Sequence, residues 1–138
     1  GPDEQLTRRE VMTTALIIED HPDNMVLIGR LLEKSGFKTL RAITGLEGCE
    51  LAISERPDFI ILDVQLPDIH GTEVLCRIRQ ELGHRIPVIA MTANALNEDR
   101  ERMLAAGCNC YIEKPFDTRD IIAQIKMVIG EADGGSHC

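Results

Sequence analysis

The chain has 138 residues, 43% hydrophobic and 28% charged, which suits one soluble globular domain with room for a real core. Its formal net charge of −8 argues against direct nucleic-acid binding, which needs basic patches. No apolar run approaches the ~20 residues that span a bilayer, and no signal-peptide pattern opens the chain, so neither a membrane nor a secreted setting is expected.

Residues 1–12 read as a tail, with Gly1-Pro2 the remnant of a protease site. The first strand covers about Thr14 to Glu19, and Asp23 to Ser35 follows as a helix with Leu27, Ile28, Leu31 and Leu32 on one side and Gly36 as its stop. Phe37 to Ala42 is the second strand. Thr44-Gly45-Leu46-Glu47 is a capping-box pattern that opens a helix to about Arg56. Phe59 to Leu62 is the third strand, and Thr72 to Leu82 the third helix. Pro87 precedes a fourth strand, Val88 to Met91. A fourth helix, about Leu96 to Ala106, stops at Gly107; Cys110 to Glu113 is the fifth strand, and Asp117 or Thr118 caps a last helix reaching Ile129. The domain is thus placed at 13–130, with 131–138 a second tail.

Five strand–helix units predict an α/β fold, (βα)5, with a doubly wound parallel sheet. Periodicity leaves strand order open, but the acids narrow it. Glu19-Asp20 and Asp63 end the first and third strands, and the order 2-1-3-4-5, the flavodoxin-like one, sets those two ends side by side at a crevice. Thr92 and Lys114 end the fourth and fifth strands at the same edge. Three carboxylates, a hydroxyl and an amine would therefore meet in one cleft.

Each of these residues has a plainer reading. Asp63 could be a turn residue, Glu19-Asp20 a helix-capping pair, Thr92 an N-cap (a role open to Asn94 too), and Lys114 a strand exit. Adjacent acids facing a third are costly without a counter-ion, however, and carboxylate oxygens favour a hard divalent cation such as Mg²⁺ or Mn²⁺. The expected ligands are Asp20 and Asp63 directly, Glu19 through water, and the Gln65 backbone carbonyl. Lys114 and Thr92 suit the oxygens of a phosphoryl group accepted by Asp63. Pro67 and Gly71 turn the loop that Asp63 opens. The Lys114-Pro115 bond could take the cis form and fix the amine over the acids.

The acid pair Glu19-Asp20, the D-x-x-x-P-x-x-x-G loop from Asp63 to Gly71, Thr92-Ala93 and Lys114-Pro115-Phe116, in that order on alternating strands, resemble a two-component response-regulator receiver domain. The resemblance covers about Thr14 to Ile129 and carries the same strand order with it. It implies a signalling phosphoacceptor rather than an enzyme: Asp63 takes a phosphoryl group from a histidine kinase or a phosphotransfer protein, with Mg²⁺ at Glu19, Asp20 and Asp63. It further implies that Lys114 and Thr92 contact the phosphoryl oxygens, that Tyr111 is a switch aromatic turning inward as Thr92 moves, and that the fourth helix, fifth strand and fifth helix are read by a downstream protein. The docking edge for the donor is expected at the first helix, near Pro22, Asn24 and Met25. Gln65 and Asn94 stand where the family tunes dephosphorylation, and neither is an acid or a base.

Other functions fit less well. A small-molecule phosphatase with an Asp nucleophile commonly carries a general acid two residues on, where this chain has Gln65. A nucleotide or flavin module would need a glycine-rich loop after the first strand, where Glu19-Asp20-His21-Pro22-Asp23 would repel a phosphate. A receiver that no longer reacts is disfavoured because every reacting residue type is present. A freestanding regulator is preferred over a receiver cut from a hybrid kinase. The five cysteines, at 49, 76, 108, 110 and 138, include no C-x-x-C pair and read as structural, reduced thiols, which points to the cytoplasm.

Overall fold

The computed structural model describes residues 13–93, 97–114 and 117–131. In chain order these form β1 (Thr14–Ile18), α1 (Pro22–Lys34), β2 (Lys38–Ala42), α2 (Gly45–Glu55), β3 (Phe59–Asp63), α3 (Gly71–Leu82), β4 (Val88–Thr92), α4 (Asn97–Ala105), β5 (Cys110–Glu113) and α5 (Thr118–Glu131). The strands make one sheet in the order β2-β1-β3-β4-β5, every neighbouring pair parallel, as expected. Asn94, Pro115 and Phe116 lie outside the described residues, as do both tails apart from Glu131.

The central strands are apolar on both sides because the sheet is covered on both. Side chains alternate along a strand, so Leu16, Ile18, Ile60 and Leu62 face one core with Val74, Leu75 and Ile78 of α3. Ala15, Ile17, Phe59 and Ile61 face the other, against Ile28 and Leu32 of α1 and Ile121, Ile125 and Val128 of α5. A one-residue slip of β1 or β3 would exchange these sets between the two cores, which pins the register.

Helix ends depart from the expected ones where the capping residue is unusual. Helix α1 starts at Pro22 rather than Asp23, since a proline at the first helical position gives up no needed N–H. Helix α3 starts at Gly71 because His70, an uncommon cap, accepts the Thr72 N–H on Nδ1 at 3.1 Å. Half of the capping box forms: Thr44 Oγ1 accepts the Glu47 N–H, while Glu47 reaches one residue past the cap to the Ile43 N–H. At the last helix it is Asp117 that caps, accepting the Arg119 N–H at 2.8 Å.

Sequence reasoning gave no role to Arg79, which is buried in α3. All five of its guanidinium hydrogens are used, on the carbonyls of Gly83, Ile86 and Gly107 and on Asn109 Oδ1. It thereby ties the end of α3 to the approach to β4 and to the turn after α4. Arg79→Ala is expected to cost about 3 kcal/mol, seen as a lowered urea midpoint, because several buried acceptors lose their donor at once. Arg79→Lys should recover little, since an ammonium cannot reproduce the planar fork.

Cys49, Cys76 and Cys108 are free thiols, but Cys110 is disulfide-bonded, contrary to the expectation that all are reduced. An odd count without a C-x-x-C pair carries no signal for that bond, and the argument from thiols to a compartment lapses with it. Among the described residues no helix is long and apolar enough to cross a membrane.

Candidate functional site

The sheet continues its hydrogen bonding one step beyond several strand ends. The Glu19 N–H donates to the Ala42 carbonyl, the Val64 N–H to that of Met91, and the Lys114 N–H to that of Thr92, at 2.7 to 3.0 Å. These bonds hold the residues that leave β1, β3 and β5 in register with their neighbours. At that edge, carboxylate oxygens of Glu19, Asp20 and Asp63 all lie within 4.8 Å of one another. Glu19 and Asp63 are buried and Asp20 is exposed.

Lys114 bridges the two buried acids. Its ammonium donates to Glu19 Oε1 at 2.9 Å and to Asp63 Oδ2 at 3.4 Å. The other oxygens are held by backbone amides: Glu19 Oε2 accepts the His21 N–H at 3.0 Å, and Asp63 Oδ1 accepts the Gln65 N–H at 3.2 Å. Burial pushes the Asp63 carboxyl up to about 7, with a hydrogen bond and like charge from Glu19 adding to the rise. Burial acts on Glu19 in the same sense, but hydrogen bonds from Asp63, Lys114 and the His21 amide outweigh it and hold Glu19 below its ordinary value. Of the two buried carboxyls, Asp63 is therefore the more readily protonated.

That raised value is a test of fit for a cation. Three carboxylates face one ammonium in a partly desolvated cleft, so the donor set is all hard oxygen with negative charge in excess. Such a set can hold a metal ion, and a divalent one would remove the repulsion that protonates Asp63.

Thr92 ends β4 fully buried. Tyr111, on the neighbouring β5, comes close enough for its hydroxyl to feel the Thr92 side chain, yet that hydroxyl is buried with no well-formed hydrogen bond. Burial holds the phenol above its ordinary pKa, so it stays neutral. Because an unsatisfied buried hydroxyl costs free energy, Tyr111→Phe is expected to be neutral or stabilising by up to about 1 kcal/mol, read as a thermal midpoint that does not fall.

The loop carrying Pro67 closes on itself through the Gly71 N–H and the Val64 carbonyl, 2.8 Å apart. A Cβ on Gly71 would stand 2.8 Å from Val64 Cα, so the loop needs glycine there. Glu19, Asp20, Asp63 and Lys114 are therefore brought together, Gln65 adjoins them through its amide, and Thr92 with Tyr111 forms a second pair one strand away. Pro115 lies outside the described residues. Asp68, which reaches α2 rather than the acids, went unread in the sequence for want of any local pattern.

The model of the response regulator receiver domain family matches residues 15–126. The polar-differentiation response regulator DivK of Brucella anthropi is 44% identical over 121 residues, a match spanning 86% of this chain and 98% of that one. DivK of Brucella ovis is 43% identical over the same shares. Among solved structures, a CheY-like receiver domain protein from Methanospirillum hungatei superposes with a TM-score of 0.85 at 29% identity, covering 89% of this chain and 98% of its own. The receiver domain of a sensor histidine kinase from Pseudomonas aeruginosa, which has a magnesium ion coordinated in its active-site cleft, gives 0.80 at 35% identity over 86% and 98%.

Proposed function

The chain belongs to the response regulator receiver family of two-component signalling, and we propose that it is a working phosphorylation switch with Asp63 as its acceptor. Receiver domains are signalling phosphoacceptors rather than enzymes in the ordinary sense. The observation that carries the proposal is the convergence of Asp63, Glu19 and Asp20 on one cleft with Lys114 bridging the buried pair.

In this reading an Asp63 carboxylate oxygen attacks the phosphorus of a phosphohistidine on a histidine kinase or phosphotransfer protein. The new O–P bond forms as the P–N bond breaks, and the imidazole leaves with the electron pair. Asp63 must be ionised to do this, so Lys114 favours the reactive form while burial and Glu19 oppose it. Glu19, Asp20 and Asp63, with the Gln65 carbonyl, would hold Mg²⁺ or Mn²⁺, which supplies charge neutralisation at the incoming phosphoryl oxygens. The ammonium of Lys114 is then free to move from the carboxylates to a phosphoryl oxygen. Thr92 offers its hydroxyl to another, and Tyr111, already turned inward with its hydroxyl unsatisfied, follows Thr92.

About two negative charges arriving at this edge bias the face made by α4, β5 and α5, which a downstream protein would read. The donor would dock on α1 near Pro22, Asn24 and Met25. No nucleic acid or membrane is needed for such an output. The chain aligns with 98% of the DivK relative and, at 35% identity, with 98% of a receiver domain taken from a sensor histidine kinase.

Intact-protein mass after incubation with acetyl phosphate tests the proposal. One phosphoryl group is expected in the wild type with Mg²⁺, and none with chelator or in Asp63→Ala. An equal gain in Asp63→Ala would overturn it.

A further inference from the structure

The loop that Asp63 opens is fastened to a different helix. An α-helix leaves its first amides without intrahelical partners. At α2 the Glu47 N–H goes to Thr44 Oγ1, and the Gly48 N–H makes the first helical bond, to the Thr44 carbonyl. The Gly45 and Leu46 amides remain, and both donate to the carboxylate of Asp68, at 2.7 and 2.8 Å. The Leu46 amide, joined by that of Gly45, holds the Asp68 carboxyl below its ordinary pKa against the opposing effect of desolvation.

A second contact is independent of the carboxylate. A Cβ on Gly45 would stand 2.7 Å from Ile69 Cγ1 and 2.8 Å from Val74 Cγ2, so the loop's Ile69 side chain packs directly on that glycine. The turn that leads into α2 follows Ala42, whose carbonyl takes the Glu19 N–H. The end of β1, the start of α2 and the loop after β3 thus form one frame, with the three acids inside it and Asp68 as its outer bolt.

We propose that Asp68 is a positioning residue for the acid cluster: by fixing the 64–70 loop to the first turn of α2, it holds Asp63 and Gln65 at the spacing a divalent cation requires. Asp68 acts through the loop and touches neither cation nor phosphoryl group. The inference rests on the phosphoacceptor reading of Asp63. It has a reciprocal consequence, because two events that favour one arrangement favour each other: a cation bound at the acids should tighten the bolt.

The test is Mg²⁺ alone, titrated calorimetrically into the full chain, with amide hydrogen exchange at Gly45 and Leu46 followed in parallel. Asp68→Ala is expected to weaken Mg²⁺ binding about tenfold, the scale on which residues supporting metal ligands act. Asp68→Asn keeps one acceptor oxygen and should fall between it and the wild type. Gly45→Ala unseats Ile69 with Asp68 intact and should shift affinity the same way. Glu50→Ala, which removes an exposed charge from the same helix, should leave affinity unchanged. In the wild type Mg²⁺ should slow exchange at Gly45 and Leu46, and in Asp68→Ala it should not.

A lower thermal midpoint for Asp68→Ala with wild-type Mg²⁺ affinity would overturn the inference, since Asp68 would then be a helix cap and no more. A wild type that binds Mg²⁺ yet takes no phosphoryl group would overturn the reading of Asp63 alone, and one that binds no Mg²⁺ would overturn both.

Discussion

Asp63→Asn is expected to end phosphoryl acceptance while making the metal-free protein more stable at pH 8, by about 1–3 kcal/mol. The two effects have one source. Asp63 titrates near 7 when folded, against an ordinary value of 3.8, so the folded chain keeps a proton that the unfolded chain has released between about pH 4 and pH 7. Across that window the unfolded state binds fewer protons, and the stability owed to this group falls as pH rises, levelling above the folded value. Glu19 has the opposite sign: its folded value lies below the ordinary 4.5, so its contribution is lost only as pH drops through the folded value, below the Asp63 window. The carboxamide introduced by the substitution would be neutral, could donate to Glu19, and would remove the fall. Full conversion of the shift would give a larger figure, which solvent access to the cleft and the coupling to Glu19 reduce. Urea midpoints in chelator at pH 5 and pH 8 are the check: the wild type should lose stability between them through this group, and the variant should not.

Lys114→Met should have the larger effect on stability. Lys114 is the ammonium that faces both buried carboxylates, and its side chain is only 13% exposed. Removing one partner of a buried ion pair strands the other, which here leaves Glu19 with Asp63 uncompensated, at a cost of about 3 kcal/mol at pH 8. At pH 5, where Asp63 holds its proton, the cost should be smaller. Phosphoryl acceptance should fall on the order of a hundredfold, the scale for losing one charged donor at a developing oxyanion. The double variant Asp63→Asn/Lys114→Met should be more stable than Lys114→Met alone, because the stranded charge has gone. Equal stability of the two would mean that Lys114 is not compensating Asp63. The measurements are urea midpoints for the single and double variants and the initial rate of mass gain with acetyl phosphate for Lys114→Met.

Strand order was legible because chemistry and topology constrain the same residues. Glu19-Asp20 and Asp63 make sense together only if β1 and β3 are neighbours, and the structure pairs Ala15 to Ile18 with Phe59 to Leu62. The doubly apolar strands were legible for a related reason, since burial on both faces leaves no polar position to blur the run. Helix starts were less so, because His70 caps α3 through a ring nitrogen and propensity does not favour histidine there.

Arg79 and Asp68 were illegible for a different reason. Arg77 and Arg79 look alike in sequence, but Arg77 is exposed and pairs with Glu73 four residues back, while Arg79 turns inward to carbonyls as far as 28 residues away. Asp68 has the look of a turn residue, and its partners lie 22 and 23 residues upstream at a helix start. Contacts of that range leave no period or spacing to read.

The central claim, that Asp63 carries the phosphoryl group, is tested most directly by mapping the group to a residue. After incubation with acetyl phosphate and Mg²⁺, borohydride reduces an acyl phosphate to the corresponding alcohol, and peptide masses locate it. The account predicts reduction at Asp63 and nowhere else. Reduction at another acid, or a phosphoryl group found on His21, His70 or His84, would contradict it.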